Sequence, residues 1–393
     1  MPEMESLRKG PQQGGGSMKI MVGLSGGVDS AVAAWLLKQQ GYDVTCAFMR
    51  NWDSAANDDI LGNPTLNEEI CTQEQDYNDA AEVCRILGLP LLRVDFIEEY
   101  WNDVFLTFLE EYRRGRTPNP DILCNKHIKF SRFIEFGRRN GFELFATGHY
   151  ASISEYNGQP TIARAADTGK DQTYFLAQVD RHIIKDIRFP LGDLKKQDVR
   201  RIASEIGLNV AGKKDSTGIC FIGERDFRAF LSNYLPMKPG KIINIANHKT
   251  EGEHKGVLYY TIGQRKGLDI GGTGPYYVIG KDVEKNELYV TDEANQHWLY
   301  SDACRITDMN LLMDIPDRIS CTAKFRYRQP DQETELIRTE DGYRAVYPQT
   351  VRSVTPGQEA VFYLGEHLIG GGVIDAVYRN GEDLMEQIRR NAE

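Results

Sequence analysis

The sequence predicts an α/β chain: a doubly wound parallel sheet in the first half, then a small β-rich central domain and a C-terminal β-barrel. Three observations predict it. Over roughly the first 150 residues, short apolar runs alternate with segments of helical period, the pattern of strands joined by crossover helices. A turn rich in glycine and serine separates the first apolar run from the first helical segment, where open parallel sheets hold anions. Beyond Lys241 the helical period gives way to short alternating strands broken by glycine, which reads as a barrel.

Taken in order, Ile20-Met21-Val22 is a strand and Ala31–Gln40 a helix ended by Gly41. Between them lies Gly23-Leu24-Ser25-Gly26-Gly27-Val28-Asp29-Ser30. Its glycines allow positive φ and close backbone approach, and its serines add hydroxyl donors. It has no lysine, so it is not a Walker A loop. Asp43–Met49 is the second strand, and the segment from Trp52 to Cys71 a loop. Gln73–Leu87 is a helix stopped by Gly88, and Leu91–Val94 a strand. Ile97–Tyr112 is an amphipathic helix whose stripe of Tyr100, Trp101, Val104, Phe105, Phe108 and Leu109 belongs to the core.

Arg113–Asp121 is a loop with two prolines, followed by a helix from Asn125 to Arg139. The strand Leu144–Thr147 runs into Gly148-His149-Tyr150, and Leu194–Ile206 is the last clear helix of this half. A polar loop spans Lys213 to Phe221, and a further helix Arg225–Leu235. Strands follow at Val257–Thr261, Tyr276–Ile279 and Glu287–Val290. The barrel then has Ser320–Arg328, Thr334–Arg338, Tyr343–Val346, Glu359–Tyr363 and His367–Val377. The expected division is a leader at 1–17, a catalytic domain at 18–224, a central domain at 225–294, a barrel at 295–380 and a tail at 381–393.

Composition narrows the function. The chain has 393 residues, 41% hydrophobic and 26% charged, with a formal net charge of −10. That charge excludes a uniformly basic nucleic-acid coat but not a local basic face. Seven cysteines, at 46, 71, 84, 124, 220, 304 and 321, show no Cys-x-x-Cys spacing. They predict neither a disulfide framework nor a metal site, and they suit a reducing cytoplasm. No apolar run is long enough to span a membrane.

Two cysteines sit among polar turn residues. Cys124 precedes the helix from Asn125, so the helix dipole, with Lys126 and Lys129 nearby, favours its thiolate. Cys220 follows Ser216-Thr217-Gly218-Ile219. Asp121 is an acid/base candidate, or the side chain of an Asx-turn after Pro120. His149 is a base or switch, or simply hydrogen-bonded at a strand end. Arg113, Arg114 and Arg116 cluster before a rigid turn and suit phosphate contact or a solvated loop. Lys324, Arg326, Tyr327 and Arg328, read as one strand, either grip RNA by charge and stacking or form an exposed barrel face.

Ser25-Gly26-Gly27-Val28-Asp29-Ser30 resembles the pyrophosphate-binding loop of the PP-loop ATP pyrophosphatases, whose fold is adenine nucleotide alpha hydrolase-like. From Met18 to about Val377 the chain resembles the tRNA-specific 2-thiouridylases. Phe48–Trp52, Gly115–Asp121, Cys124-Asn125-Lys126, Ala146–Tyr150, Lys170–Leu176, Asp215–Gly223, Thr261–Arg265, Arg326-Tyr327 and Thr355–Gln358 carry the resemblance. It implies that Gly23, Leu24, Ser25, Gly26, Gly27, Val28, Asp29 and Ser30, with Met49 and Gly148, bind ATP with Mg²⁺. It implies that Asn119, Pro120 and Asp121 meet the target base, with Asp121 as acid/base. His149, Lys170, Asp171, Gln172, Arg326, Tyr327 and Gln358 would contact tRNA. Cys220 would carry a persulfide from a sulfur-donor protein, a cysteine desulfurase or relay protein, and Cys124 would be the second catalytic thiol. His127 stands where many relatives have an acidic residue.

The implied reaction fits the chemistry. The uridine C2 oxygen is a poor leaving group, and adenylation converts it to AMP. The terminal persulfide sulfur then attacks C2 directly, or Cys124 first frees sulfide. An amide-forming ligase of the same superfamily would leave the two loop cysteines without a purpose. A purely RNA-binding module would leave the phosphate loop unexplained.

Overall fold

The structure, a computed structural model, describes residues 17–66, 71–215, 218–220, 222–223, 225–271 and 274–393. The expected leader lies outside the described residues except for Ser17. Ser216, Thr217 and Phe221 of the second cysteine loop also lie outside them. The chain forms two compact units. The first takes the described residues of Met1–Val104, Asp121–Arg225 and Glu366–Leu368, and the second those of Phe105–Pro120, Asp226–Gly365 and Ile369–Glu393.

The first unit is built on a parallel sheet. Its strands are β1 (Lys19–Gly23), β2 (Asp43–Arg50), β3 (Leu91–Asp95), β4 (Leu144–Ala146) and, after a hairpin described below, β7 (Ile187–Arg188). The order is β3-β2-β1-β4-β7, and every pairing is parallel. The direction of winding therefore reverses at β1. The crevice beyond the carboxyl ends of β1 and β4 is the switch point at which such sheets bind ligands. Ile20, Met21 and Val22 are fully buried, as the unbroken apolar run of a central parallel strand requires. Helix α1 (Val28–Gln39) buries Ala31, Val32, Ala33 and Ala34 in the same core. Helix α2 (Thr72–Leu87) ends at Gly88 with φ 61°, the left-handed cap expected from the sequence.

Several expectations change. Strands β5 (Ser152–Tyr156) and β6 (Gln159–Ala163) form an antiparallel hairpin absent from the sequence reading. Its turn, Asn157-Gly158, has positive φ at both residues, as a two-residue hairpin turn demands. The helix before Arg113 is interrupted by a π-helical turn at Trp101–Phe105. The helix placed at Asn125 begins at Pro120, because proline is preorganised for the first helical position.

In the second unit, β8 (Gly240–Asn244), β9 (Lys249–His254), β10 (Tyr277–Asp282) and β11 (Glu287–Thr291) make a sheet of order β10-β11-β8-β9. The strand expected at Val257–Thr261 is not one: Val257–Tyr259 is a short 3₁₀ turn, and Tyr260 and Thr261 follow it outside any strand. Gly256 takes φ 153° just before it, and the Tyr259 hydroxyl donates to the Leu235 carbonyl at 2.7 Å. The barrel strands are β12 (Tyr300–Leu311), β13 (Arg318–Lys324), β14 (Gln332–Thr339), β15 (Gly342–Arg352), β16 (Glu359–Leu364) and β17 (His367–Arg379). They follow the order β12-β15-β14-β13-β16-β17, and antiparallel pairing of β12 with β17 closes the ring. The expected strand through Arg328 stops at Lys324. Arg326, Tyr327 and Arg328 lie in a turn, where Gln329 bonds both the backbone N–H of Phe325 and the carbonyl of Arg326. The expected tail contains a helix, Leu384–Ala392, capped by Asp383.

One buried charge in this unit has a measurable consequence. Lys281 on β10 is buried, and its amine donates to the Tyr260 carbonyl at 2.8 Å. Burial pulls it down to about 7 from the ordinary lysine value. Between that value and the ordinary one, the unfolded chain binds a proton that the folded chain does not. Stability therefore rises with pH across this window, by up to about 1.4 kcal/mol per pH unit. The unfolding midpoint of the wild type should gain on that of Lys281→Met as pH rises from about 7 toward 10. Parallel midpoints across that range would show that Lys281 keeps its proton on folding.

Candidate active site

The glycine-rich loop starts where β1 ends. Leu24 N–H donates to the Ala47 carbonyl at 2.9 Å, fixing the loop's first residue to β2. Ser25 N–H donates to Ser30 Oγ at 3.1 Å, and Ser30 Oγ reaches the Gly27 carbonyl at 3.2 Å. These bonds curl the loop into a ring. Gly27 precedes α1, and among the described residues no side chain caps the helix there. The first-turn N–H groups and the positive end of the dipole are left for an anion.

Four sets of contacts hold the loop from behind. Gly26 has φ +74°, and a Cβ there would stand 2.2 Å from the Asp76 carbonyl oxygen of α2. Lys213 donates to the Gly26 carbonyl at 3.0 Å while pairing with Asp76 and Asp79. Gly148, just past β4, abuts Asp29 and Ser30: a Cβ there would lie 2.6 Å from Ser30 N. The Asp29 carboxylate is held by Lys196 at 2.7 Å and by the Tyr150 hydroxyl at 2.8 Å. Lys196 also pairs with Asp215, which Lys170 and Arg200 share. Burial opposes ionisation of Asp215, but Lys170 and Lys196 hold it down at about 2. Sequence reasoning missed Lys196, which has no motif of its own, and gave no role to Tyr150, although it closes the Ala146–Tyr150 motif.

Met49, at the end of β2, lies against Gly23: a Cβ on Gly23 would come within 3.2 Å of its Cε. Two residues on, Asn51 is fully buried, and neither its amide nitrogen nor its amide oxygen has a hydrogen-bond partner among the described residues. An unpaired buried amide is costly, so this position is suited to a polar ligand atom.

Also in the first unit, the structure brings Cys124, Cys220 and Asp121 together. Cys124 is fully buried one turn into its helix, not at its start, so the helix-dipole argument for its thiolate fails. Burial pushes the Cys124 thiol well up, and it hydrogen-bonds Cys220. Cys220 is half-buried and shifts the other way. Its bond from Cys124 is the leading cause, with the Lys129 ammonium adding to it. Asp121 accepts the Cys220 N–H at 3.1 Å. Burial lifts Asp121 above the ordinary carboxylate range, against the pull of Lys129 and of that N–H. Tyr100, assigned to the core, does more than pack: its hydroxyl donates to the Cys220 carbonyl at 2.9 Å. Together these contacts fix the second cysteine loop beside the first thiol.

His149 follows Gly148. Its Nδ1 meets Thr147 Oγ1 at 2.7 Å, and burial with the facing Lys129 holds it neutral. It therefore does not switch near neutral pH. Asp171 is buried, and its carboxylate accepts Ala165 N–H and the Thr173 hydroxyl. Gln172 accepts the Tyr150 N–H at 2.9 Å.

In the second unit four of the motif segments converge. Gln358 donates to the Thr117 carbonyl at 2.6 Å, and Thr117 N–H to the Pro356 carbonyl at 3.0 Å. Arg326 donates to the Ile262 carbonyl at 2.7 Å and to Thr355 Oγ1 at 2.6 Å. Asn119 and Pro120 end the first segment of this unit, half-buried, directly before Asp121 in the chain.

Comparison with known proteins gives these groups a context. Family models match as the tRNA methyl transferase HUP domain over residues 18–224, the tRNA methyl transferase PRC-barrel domain over 228–292 and the aminomethyltransferase beta-barrel domain over 301–374. The tRNA-specific 2-thiouridylase MnmA of Mesoplasma florum is 51% identical over 370 residues, covering 91% of this chain and 99% of that one. The enzyme of the same name from Mycoplasma capricolum is 50% identical over 373 residues, covering 92% and 99%. That called MnmA 2 from Geobacillus kaustophilus is 50% identical over 370 residues, covering 93% and 97%. With identity of this order over nearly the whole length of each relative, the chain belongs to the tRNA-specific 2-thiouridylase family.

Proposed function

We propose that the protein is an ATP-dependent tRNA-uridine 2-sulfurtransferase. It adenylates the C2 oxygen of the wobble uridine and replaces that oxygen with sulfur, releasing AMP and pyrophosphate. The observation that carries this reading is the hydrogen-bonded thiol pair Cys124–Cys220 beside Asp121, in the same compact unit as an uncapped phosphate-type loop. A methyl transferase, the activity in the names of two matched family models, has no use for such a loop.

The ring of backbone donors from Gly23 to Ser30 would hold the phosphates, with Met49 and Gly148 shaping the nucleotide's seat. Mg²⁺ takes one or two carboxylates alongside phosphate oxygens; Asp29, the loop's acidic residue, would reach it only by releasing Lys196, which holds both of its oxygens. When bound, the ion would neutralise phosphate charge. Asp121, raised by burial, would take a proton from the uridine as its oxygen attacks the α-phosphate, and return it later.

Cys220, the more acidic thiol, would carry the sulfane sulfur. If its terminal sulfur attacks C2, the C2–S bond forms as AMP leaves. Cys124 then attacks Cys220 Sγ, and the S–S electron pair stays on the sulfur bound to C2. If Cys124 attacks first, hydrosulfide leaves and adds to C2. Both routes end in a Cys124–Cys220 disulfide that a dithiol must reduce, and both use the contact between the two sulfurs.

The tRNA-facing set would be Asn119, Pro120, His149, Lys170, Asp171, Gln172, Arg326, Tyr327 and Gln358. Asp171, Gln172 and Gln358 would act by shaping their loops, since their side chains bond the chain's own groups. The working division into domains is 18–224, 225–294 and 295–380. The sulfur would come from a protein persulfide in the cytoplasm; among the described residues no helix is long and apolar enough to cross a membrane. Mass spectrometry of nucleosides from treated tRNA tests the reading.

A further inference from the structure

The helix that carries Cys124 changes character immediately after it. Asn125–Arg132 is π-helical, and the run distorts at Phe130, with φ −110° and ψ 16°. Hydrogen bonding from i to i+5 sets residues five apart over one another. Lys129 is five residues beyond Cys124. In α-helical register it would point about 140° away from Cys124 around the axis. In the π turn its ammonium faces Cys124, Asp121 and the Cys220 thiol. Single π turns of this kind concentrate at functional sites.

The surroundings of this ammonium are specific. Asp121 and Cys124 face it from its own helix, Cys220 from the second cysteine loop, and His149 from beyond β4. Tyr100, whose hydroxyl bonds the Cys220 carbonyl, faces the same thiols and Asp121. Tyr100 and Cys124 are held protonated by burial, and His149 is held neutral by burial and by Lys129 itself. Lys129 is therefore the cation that this cluster offers to a sulfur anion.

We propose that Lys129 is a catalytic residue of sulfur transfer: its ammonium donates to the Cys220 sulfur and keeps it anionic, first as the thiolate that accepts sulfur and then as the persulfide that delivers it. In loading, the Cys220 thiolate attacks the terminal sulfur of a donor persulfide. A new S–S bond forms, the donor's S–S bond breaks, and the electron pair leaves on the donor thiolate. The charge that Sγ carried leaves on the donor thiolate; the transferred sulfur arrives as S–H, and its own ionisation places a new negative charge one atom beyond Sγ, within the field of the same ammonium. The π turn is what makes this possible, because an unbroken α-helix would aim the lysine elsewhere.

The assignment rests on the thiouridylase reading, but its test uses neither tRNA nor ATP, so the two can fail separately. The full chain is treated with iodoacetamide across a pH series, and alkylation is read on the Cys220 peptide by mass spectrometry. In the wild type the midpoint should fall below the ordinary thiol value of about 8.5. In Lys129→Met it should rise by at least one unit, so that alkylation at pH 7 slows about tenfold or more. Lys129→Arg, which keeps the charge, should retain part of the depression. Equal midpoints in the wild type and a folded Lys129→Met would overturn the proposal. If Lys129→Met does not fold, the wild-type profile decides: a midpoint at or above the ordinary value overturns it, and a lower one supports it.

Discussion

Cys220→Ser is expected to reduce thiouridine formation from a protein persulfide donor by more than about a thousandfold, the scale of losing a nucleophile from a covalent mechanism. Serine is nearly isosteric and keeps the backbone bonds to Asp121 and Tyr100, so the loop should hold its place. Its hydroxyl does not ionise near neutrality and cannot carry sulfane sulfur. Cys124→Ser should be similarly inactive but for a different reason. Cys220 remains and still accepts sulfur, yet the attack that breaks the S–S bond is gone. Mass spectrometry of protein exposed to the donor should find a persulfide on Cys220 in Cys124→Ser and none at position 220 in Cys220→Ser. Thiouridine made by Cys220→Ser would remove Cys220 from the role of carrier.

Gly26→Ala should be the most damaging single methyl in the phosphate loop. The residue has positive φ, which costs an alanine about 1–2 kcal/mol, and its Cβ would stand 2.2 Å from a backbone oxygen of α2. No rotamer change relieves a clash with backbone, so the loop must move away from Asp76. That movement also strains the Lys213 bond to the Gly26 carbonyl. A displacement of about 1 Å can cost on the order of a hundredfold in rate. tRNA-dependent pyrophosphate release should fall by about that factor, while Cys220 alkylation stays as in the wild type. Wild-type pyrophosphate release in Gly26→Ala would show that the loop is not the phosphate site.

Much of this site was legible in the residues. The strand, glycine turn and helix at Ile20–Gln40 require nothing beyond local propensity, and the turn sits at the sheet's switch point as expected. The two cysteines in polar loops stood out from Cys46 and Cys84 for the same local reason. Their contact was not legible, because about a hundred residues separate them and only the tertiary fold joins them. The start of the Cys124 helix was misplaced by weighing Asn119-Pro120 as a turn, when proline at a first helical position reads equally well as a start. The π turn that follows has no sequence period of its own. Lys196 and Tyr100 were hidden in ordinary amphipathic patterns, and only a polar atom finding a distant partner distinguishes them. The β5–β6 hairpin was missed although Asn157-Gly158, the strongest short-range signal of a hairpin turn, stands between its strands.

Coupling of ATP cleavage to sulfur transfer onto tRNA by this one protein is open to direct measurement. The direct measurement incubates the full chain with unmodified tRNA, ATP, Mg²⁺ and a persulfide donor, digests the RNA and weighs the nucleosides. The expected product is a uridine with one oxygen exchanged for sulfur, formed only when ATP is present. A uridine that has instead gained a methyl group, or thiouridine formed equally well without ATP, would contradict the coupling.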